Sequence, residues 1–328
     1  MKKLLILLLV LSFNLSLFLS STTLQAFTHP DDPTLSPDSF AQTQANVNSF
    51  SCDDVTDVPV SECEALVDLY LSTNGVGWKN QQECSGDEYD DCWLATTKIS
   101  QWFGVTVKDE HVTIVSLYSN LLTGIIPETI GQLPYLKLLE LAGNQLTGAI
   151  PESLGLLTFL EEACLTNNQL SGPIPDTLGE MTSLLKLSFN DNWIEGEIPA
   201  SLGNLTTLTK FSLGNNRLSG TIPDSLGQLV NVDRFEVYKN NLSGGLPESL
   251  GNLVKLKELV INDTLLSGSI PLSFTNLSNV TAFYFFGTQL CEPTTPEFLA
   301  WKALVGIGWH GTDLFCMDYH HYLPIICR

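Results

Sequence analysis

Residues 136–151 read LKLLELAGNQLTGAIP, and this stretch decides how the chain folds. Leu139 and Leu141 alternate with other residues, which is the period-2 pattern of a short strand with one buried face. Leu146 and Ile150 add two more apolar positions, so the stretch carries one inward-facing apolar set. A single coil of this size cannot bury that set, whereas stacked copies bury it against each other. The stretch therefore predicts a protein built from repeats.

The same pattern recurs at a fixed spacing through the middle of the chain. A Gly-x-(Ile/Leu)-Pro motif repeats with 24 residues between successive prolines and no insertion. Its prolines are Pro127, Pro151, Pro175, Pro199, Pro223, Pro247 and Pro271. An asparagine stands at a constant offset before six of them: Asn120, Asn144, Asn168, Asn192, Asn216 and Asn240. Because a buried bend leaves backbone groups without partners, we expect these asparagines to turn inward and bind loop backbone between coils.

These units resemble the plant-type leucine-rich repeat, LxxLxLxxNxLxGxIPxxLGxL, over residues 112–290. The flanking residues 64–78, 102–105 and 290–316 resemble the caps of the same family. The resemblance implies an α/β solenoid, a right-handed leucine-rich repeat superhelix capped at both ends. Its concave side would be a parallel β-sheet of about eight strands, and its convex side irregular or 3-10 helical. Polygalacturonase-inhibitor-like proteins and receptor ectodomains share this pattern.

Composition divides the chain into five parts. Two lysines and an apolar run within residues 2–13 precede a polar stretch and Ala26, which is the pattern of a secretory signal peptide. An uncleaved anchor is the alternative, and the shortness of the run disfavours it. We therefore expect a secreted, extracellular or cell-surface protein with no stable membrane span after cleavage. The predicted parts are a signal peptide (1–26), a flexible leader (27–51), an N-terminal cap (52–111), the solenoid (112–290) and a C-terminal cap with a tail (291–328).

Cysteines are concentrated at the two ends of the chain. In an exported protein they are expected to form disulfides. The candidates are Cys52, Cys63, Cys84, Cys92, Cys291 and Cys316. Cys164 lies alone in the long middle, where it is either buried by a neighbour or paired, with Cys327 as one partner. Their spacing leaves the connectivity open.

Charge and motifs exclude several functions. The chain has 36 acidic and 15 basic residues, a formal charge of -21, which repels nucleic acid. None of the five histidines falls among the solenoid coils, and no nucleophile elbow, phosphate-binding glycine loop or HExxH motif is present. A metal site at Cys316, His320, His321 and Cys327 is the alternative, and oxidation of exported cysteines disfavours it. We expect neither an enzyme nor a bound cofactor or metal.

Three consecutive coils carry a basic residue at the same strand position. Lys186, Lys210 and Arg234 would lie about 4.8 Å apart across neighbouring strands. Like charges at that distance are destabilising, which indicates an acidic ligand group. The alternative is that nearby Glu162, Asp233 and Glu236 neutralise the row. The predicted concave ligand-binding set is Lys186, Lys210, Arg234, Glu236, Tyr238, Trp193 and Asn190.

Five sequons follow the predicted signal peptide, at Asn204, Asn241, Asn262, Asn276 and Asn279, and Asn262 would carry its sugar on the concave face. The resemblance implies an extracellular module that recognises a protein, peptide or glycan through that face. Two alternatives stay open. One is an inhibitor of a secreted, cell-wall-degrading enzyme, and the other is a structural or adhesive cell-surface protein.

Overall fold

The computed structural model describes residues 50–80, 92–312 and 314–316. The predicted signal peptide, nearly all of the predicted leader, Cys84, Cys327 and the predicted tail metal site beyond Cys316 lie outside these residues. Every statement below concerns the described part of the chain.

One sheet of ten strands runs through the described residues, which confirms the predicted solenoid. Its strands are, in spatial order, β1 (Val105–Lys108), β2 (His111–Ser116), β4 (Leu138–Glu140), β6 (Glu162–Cys164), β8 (Lys186–Ser188), β10 (Lys210–Ser212), β12 (Arg234–Glu236), β14 (Glu258–Val260), β16 (Ala282–Tyr284) and β18 (Trp309–His310). The eight strands from β2 to β16 are the predicted repeat strands and pair in parallel. The repeat pattern missed the other two. β1 pairs antiparallel with β2, and β18 adds a two-residue strand beyond β16.

A second set of short strands forms along another side of each coil, at the Gly-bearing part of the repeat. They are β3 (Thr123–Ile125), β5 (Gln145–Thr147), β7 (Ser171–Gly172), β9 (Trp193–Glu197), β11 (Arg217–Ser219), β13 (Ser243–Gly244), β15 (Leu265–Ser269) and β17 (Gln289–Cys291). They associate as β3–β5, β7–β9–β11 and β13–β15–β17. We call the β7–β9–β11 group the flank sheet. The sequence analysis did not predict these strands.

The third side of each coil is a 3-10 segment. Each begins directly after a motif proline, whose fixed φ suits a helix start and whose missing N–H leaves no donor unpaired there. The segments are Glu128–Gln132, Glu152–Leu156, Asp176–Glu180, Ala200–Asn204, Asp224–Gln228, Glu248–Asn252 and Leu272–Asn276. One continuous core of buried leucine, isoleucine and phenylalanine lies between the three sides.

The repeat asparagines connect neighbouring coils from within. Asn144 accepts hydrogen bonds on Oδ1 from the backbone N–H groups of Asn120 and Leu122, at 2.9 and 3.1 Å. Its Nδ2 donates to the carbonyl oxygens of Leu117 and Leu141. Each of the next four asparagines repeats this bridging geometry. One amide thus satisfies backbone groups of two coils at a bend that excludes water. We call this series the asparagine ladder.

The 3-10 segments pack so closely that glycine is required where they touch. A Cβ placed on Gly203 would lie 2.5 Å from the carbonyl oxygen of Ser225 in the next coil. We therefore expect Gly203→Ala to lower the free energy of unfolding by about 1–3 kcal/mol, as overpacking does. Urea unfolding followed by circular dichroism measures this. Gly245→Ala is the control, because the nearest atom to its added Cβ is 3.8 Å away. Equal stability of the two variants would contradict the expectation.

Both ends of the solenoid are covered by apolar caps. At the N-terminal end, α1 (Val60–Ser72) packs against a buried aromatic cluster in which the rings of Trp78 and Trp93 lie 4.8 Å apart. Glu62 is buried, and its Oε2 accepts the Val112 N–H at 2.7 Å, which joins this helix to β2. At the C-terminal end, α2 (Pro296–Val305) places Phe298 and Trp301 over the last coils.

Disulfides lie in these caps and confirm the prediction that the chain is cross-linked. Cys52 is bonded to Cys63, which ties the start of the described chain to α1. Cys291 is bonded to Cys316 and closes the C-terminal cap. Cys92 is also disulfide-bonded.

Candidate functional site

The three predicted basic residues lie side by side on the ten-stranded sheet. Lys210 is the registered partner of Lys186 on one side and of Arg234 on the other. Glu162 and Glu258 occupy the next strand on each side. The exposed row therefore runs through five consecutive strands, with carboxylates at its ends and cations in its middle.

The sequence predicted a row of three like charges without counter-charges. This prediction is wrong, because two of the three cations have ionic partners. Lys186 Nζ lies 2.7 Å from Glu162 Oε1, and this hydrogen bond raises the pKa of the lysine. Arg234 Nε lies 2.6 Å from Glu236 Oε1 and 3.4 Å from Glu258 Oε2. The neutralising alternative thus holds for these two residues.

Lys210 differs from both neighbours. In the described part of the chain its ammonium group has neither an ion pair nor a side-chain hydrogen bond. It lies between two cations whose charges are already engaged, on a half-buried side chain. Lys210 is therefore the cation of this row that is free to bind an incoming anion.

Glu236 is a buried organising residue rather than an exposed contact. It is 5% exposed. Its Oε2 accepts from Ser212 Oγ at 2.6 Å and from Asn190 Nδ2 at 3.1 Å, while its Oε1 faces Arg234. Burial opposes ionisation, but these three hydrogen bonds outweigh it and hold the pKa of Glu236 below its usual range. The carboxylate thereby fixes Arg234 in one orientation.

Asn190 and Tyr238 fix the surface beside this carboxylate. Asn190 Oδ1 accepts the backbone N–H of Gly214 at 2.6 Å, so its amide joins three consecutive coils. The ring of Tyr238 covers Gly214, where an added Cβ would lie 2.2 Å from a ring carbon. Burial first, then the nearby Asp191 and Glu236 carboxylates, raise the pKa of Tyr238. We call Lys186, Lys210, Arg234, Glu236, Asn190 and Tyr238 the concave cluster.

Two members of this arrangement escaped the sequence analysis. Ser212 is fully buried and donates to Glu236, and Gly214 supplies the flat backbone beneath Tyr238. The 24-residue offset contains the missing signal. Ser212 stands one coil before Glu236, and Gly214 stands one coil before Tyr238, at the same strand positions.

Trp193 was predicted as a concave contact, and this placement is wrong. It begins β9 in the flank sheet, whereas the concave cluster lies on the ten-stranded sheet. Its indole is 46% exposed, and the Arg217 guanidinium lies 5.4 Å from the ring centroid. A cation over the face of an indole is an attractive contact. The two residues form a separate surface feature.

Cys164 and the sequons complete the predicted set. Cys164 is a free cysteine, so the alternative of pairing does not hold. Burial, together with the charges of Glu140 and Glu162, raises the pKa of its thiol, which disfavours the nucleophilic thiolate. Asn262 is 7% exposed and its amide donates to Asp263, which disfavours the glycan predicted there. The other four sequon asparagines are exposed: Asn204, Asn241, Asn276 and Asn279.

The described residues contain no group of three or more histidine, cysteine, aspartate or glutamate side chains placed to hold a metal ion. None of their helices combines the length and apolar character needed to cross a bilayer.

The leucine-rich repeat region family matches residues 114–305, which cover every strand of the concave cluster. The chain belongs to the leucine-rich repeat family. Among curated protein sequences, none matches it significantly.

Solved structures of plant receptors resemble this leucine-rich repeat chain. The plant peptide hormone receptor RGFR1, in complex with RGF2, is 38% identical with a TM-score of 0.53 over 55% of this chain and 29% of the receptor. The ectodomain of GASSHO1/SCHENGEN3 from Arabidopsis thaliana, in complex with CASPARIAN STRIP INTEGRITY FACTOR 2, is 30% identical with a TM-score of 0.59, over 73% and 31%. Arabidopsis HAESA, in complex with the peptide hormone IDA and the co-receptor SERK1, is 33% identical with a TM-score of 0.57, over 65% and 35%. The chain spans about a third of the length of each of these structures.

Proposed function

We propose that this leucine-rich repeat chain is an extracellular binding module that recognises an acidic group on a peptide or protein through the concave cluster. The observation that carries the proposal is Lys210, a half-buried residue whose ammonium group has no ionic partner among the described residues and lies between two cations that have partners. A ligand carboxylate at Lys210 would give this ammonium group the ionic partner that Lys186 and Arg234 already have. Binding therefore gains from one new charge-assisted contact in the middle of the row.

The surroundings of Lys210 supply the rest of a recognition surface. Arg234 is held by the buried Glu236, so little side-chain freedom is lost when it meets a ligand. Tyr238 lies against the sheet beside this cluster and offers a rigid aromatic surface, the kind of residue enriched at interfaces. The site is thus ordered before the ligand arrives. Its geometry suits binding rather than catalysis.

The comparison structures support a peptide as the ligand class. RGFR1 and HAESA were solved with peptide hormones, and their repeats are 38% and 33% identical to those of this chain. Those receptors are much longer than this chain, so their ligands are not carried over by name. The shared feature is a ladder of parallel strands, whose exposed face suits an extended peptide laid across several coils.

Replacing Lys210 is the direct test. A display library of random dodecapeptides is selected against the oxidised, folded chain, and the dissociation constants of the selected peptides are measured for three proteins. We expect the selected peptides to be enriched in aspartate or glutamate, and Lys210→Glu to weaken their binding about tenfold or more. Lys255→Glu makes the same charge change at an exposed lysine that bonds to Asn231 at an edge of the coils, and it should leave affinity unchanged.

Two outcomes would contradict the proposal. Equal loss in both variants would mean that overall charge, not the concave cluster, controls binding. Selected peptides without acidic residues would remove the role of Lys210. Capture of a secreted enzyme whose activity falls on binding, with the same dependence on Lys210, would place the acidic group on that enzyme and make the chain its inhibitor.

A further inference from the structure

A second surface with polar and aromatic side chains lies at the flank sheet, next to the concave cluster but on a different sheet. An open depression there is rimmed by Trp193 and Arg217, and its floor is the polar bend between the ten-stranded sheet and the flank sheet. Its lining is made of side-chain amides and one carboxylate apart from those two residues: Asn167, Asn168, Gln169, Asp191, Asn192, Asn215 and Asn216.

Exposure of Trp193 is the first observation that indicates a ligand. The same slot in the neighbouring coils holds Gln169 and Arg217, so the repeat does not require an aromatic residue there. The ring is nonetheless 46% exposed and is backed by Arg217. An indole held this way presents a rigid apolar plane to solvent, and its N–H has no acceptor in the described part of the chain.

Free polar groups around the indole are the second observation. The asparagine ladder uses Asn168, Asn192 and Asn216 for the backbone. In contrast, the side-chain amides of Asn167 and Gln169 bind nothing in the described residues. Asp191 accepts one hydrogen bond, from Asn215 Nδ2 at 2.7 Å, and keeps further acceptor capacity. Hydrogen-bond donors and acceptors with unused capacity therefore lie around the space beside the ring.

The aromatic ring, the polar groups and the charges of this surface indicate which class of ligand it can bind. A sugar ring has an apolar face of C–H groups that packs flat against an indole, and hydroxyls at its edge that need both donors and acceptors. The depression has no aliphatic pocket for a protruding apolar side chain. Asp191 and Glu195 add two negative charges beside the one of Arg217, so a negatively charged sugar is disfavoured. We propose that Trp193, Arg217 and the adjacent amides form a site for a neutral oligosaccharide.

The position of Trp193 allows its binding to be observed directly. Four of the six tryptophans are buried: Trp78, Trp93, Trp102 and Trp301. Trp309 is partly buried, so Trp193 has the most exposed indole of the chain. Acrylamide quenching of fluorescence therefore reports mainly on this residue. The probes are cellohexaose, laminarihexaose, mannohexaose, chitohexaose and, as the acidic comparison, hexagalacturonate. The proteins are produced in a bacterial periplasm, which oxidises cysteines without adding an N-glycan at nearby Asn241.

At least one of the four neutral hexasaccharides should protect Trp193 from quenching and bind with a dissociation constant measurable by calorimetry. Trp193→Ala should weaken that binding about tenfold or more, as truncation of a central tryptophan does. Trp193→Phe should restore part of the affinity, and Arg217→Gln should weaken it less. Leu265→Ala is the matched control, because Leu265 occupies the same repeat position three coils later and is 54% exposed. Lys210→Glu should not change sugar binding, which separates this site from the proposed function.

Three results would overturn the proposal. They are a failure of all four neutral hexasaccharides to bind at millimolar concentration, undiminished binding by Trp193→Ala, and preferential binding of hexagalacturonate. Unchanged urea midpoints for Trp193→Ala and Leu265→Ala establish that both variants are folded.

Discussion

Replacing Asn192 with alanine is expected to lower the free energy of unfolding by about 2–3 kcal/mol. The amide of Asn192 accepts the N–H of Leu170 at 3.0 Å and donates to the carbonyls of Leu165 and Phe189 at 3.0 and 3.2 Å. Alanine leaves the Leu170 N–H buried without an acceptor, in the middle of the solenoid. The Leu165 and Phe189 carbonyls each lose one donor but keep another, from the amides of Asn168 and Asn216. The expected loss therefore reflects one unpaired buried N–H and two weakened carbonyl contacts.

Urea unfolding followed by far-ultraviolet circular dichroism measures this loss. Gln169→Ala is the control, because Gln169 also follows a strand but its side-chain amide has no partner in the described residues. Asn192→Asp keeps the size and the acceptor but places a carboxylate oxygen where the amide donated to carbonyl oxygens, so it should also be destabilised. A loss below about 1 kcal/mol for Asn192→Ala would mean that water replaces the amide, contrary to its 5% exposure.

Glu236→Ala is expected to reduce stability by about 2–3 kcal/mol at pH 7, because it leaves the buried Ser212 hydroxyl and the Asn190 amide without their acceptor. The exposed half of Arg234 can return to solvent, which keeps the loss below that of a fully buried ion pair. Ligand affinity should fall as well, since Arg234 then loses its fixed orientation. Calorimetric unfolding and the selected dodecapeptides measure the two effects.

The same carboxylate makes a prediction about pH. The pKa of Glu236 is lower in the folded chain than in the unfolded chain, so its ionisation stabilises the fold fully above the unfolded value of about 4.3. That contribution decreases as the pH falls toward the folded value. The stability difference between the wild type and Glu236→Gln should therefore shrink from pH 7 to pH 3.5. A difference that grows on acidification would contradict the assigned hydrogen bonds.

Repetition explains why so much of the fold was predictable. Every 24 residues the same apolar positions return, so the register of Lys186, Lys210 and Arg234 follows from counting. Counting does not give side-chain torsions. The repeat count placed Glu162 and Glu236 near the basic row. It did not decide that they pair with Lys186 and Arg234 and that Lys210 has no ionic partner in the described part of the chain.

The sequence did not predict the flank sheet because glycines interrupt the strand pattern of its members. In β9, Gly196 has a φ of 86°, a left-handed conformation that strand patterns do not include. Trp193 was therefore assigned to the wrong face. Asn262 was misjudged for a different reason, since its slot is outward along the strand but its neighbours in space bury it. A local sequence pattern does not show whether residues 24 positions away will bury a side chain.

The antiparallel pairing of β1 with β2 has a consequence for the size of the molecule. A parallel ladder of equivalent coils offers at each end a template on which a coil from any other chain can dock. β1 reverses direction at that edge, has a register irregularity between Thr106 and Val107, and ends at the exposed Lys108. At the other edge β18 is only two residues long. Such features protect natural sheets from joining edge to edge, so we expect the two edge strands of the described sheet to disfavour the end-to-end stacking of chains into a filament.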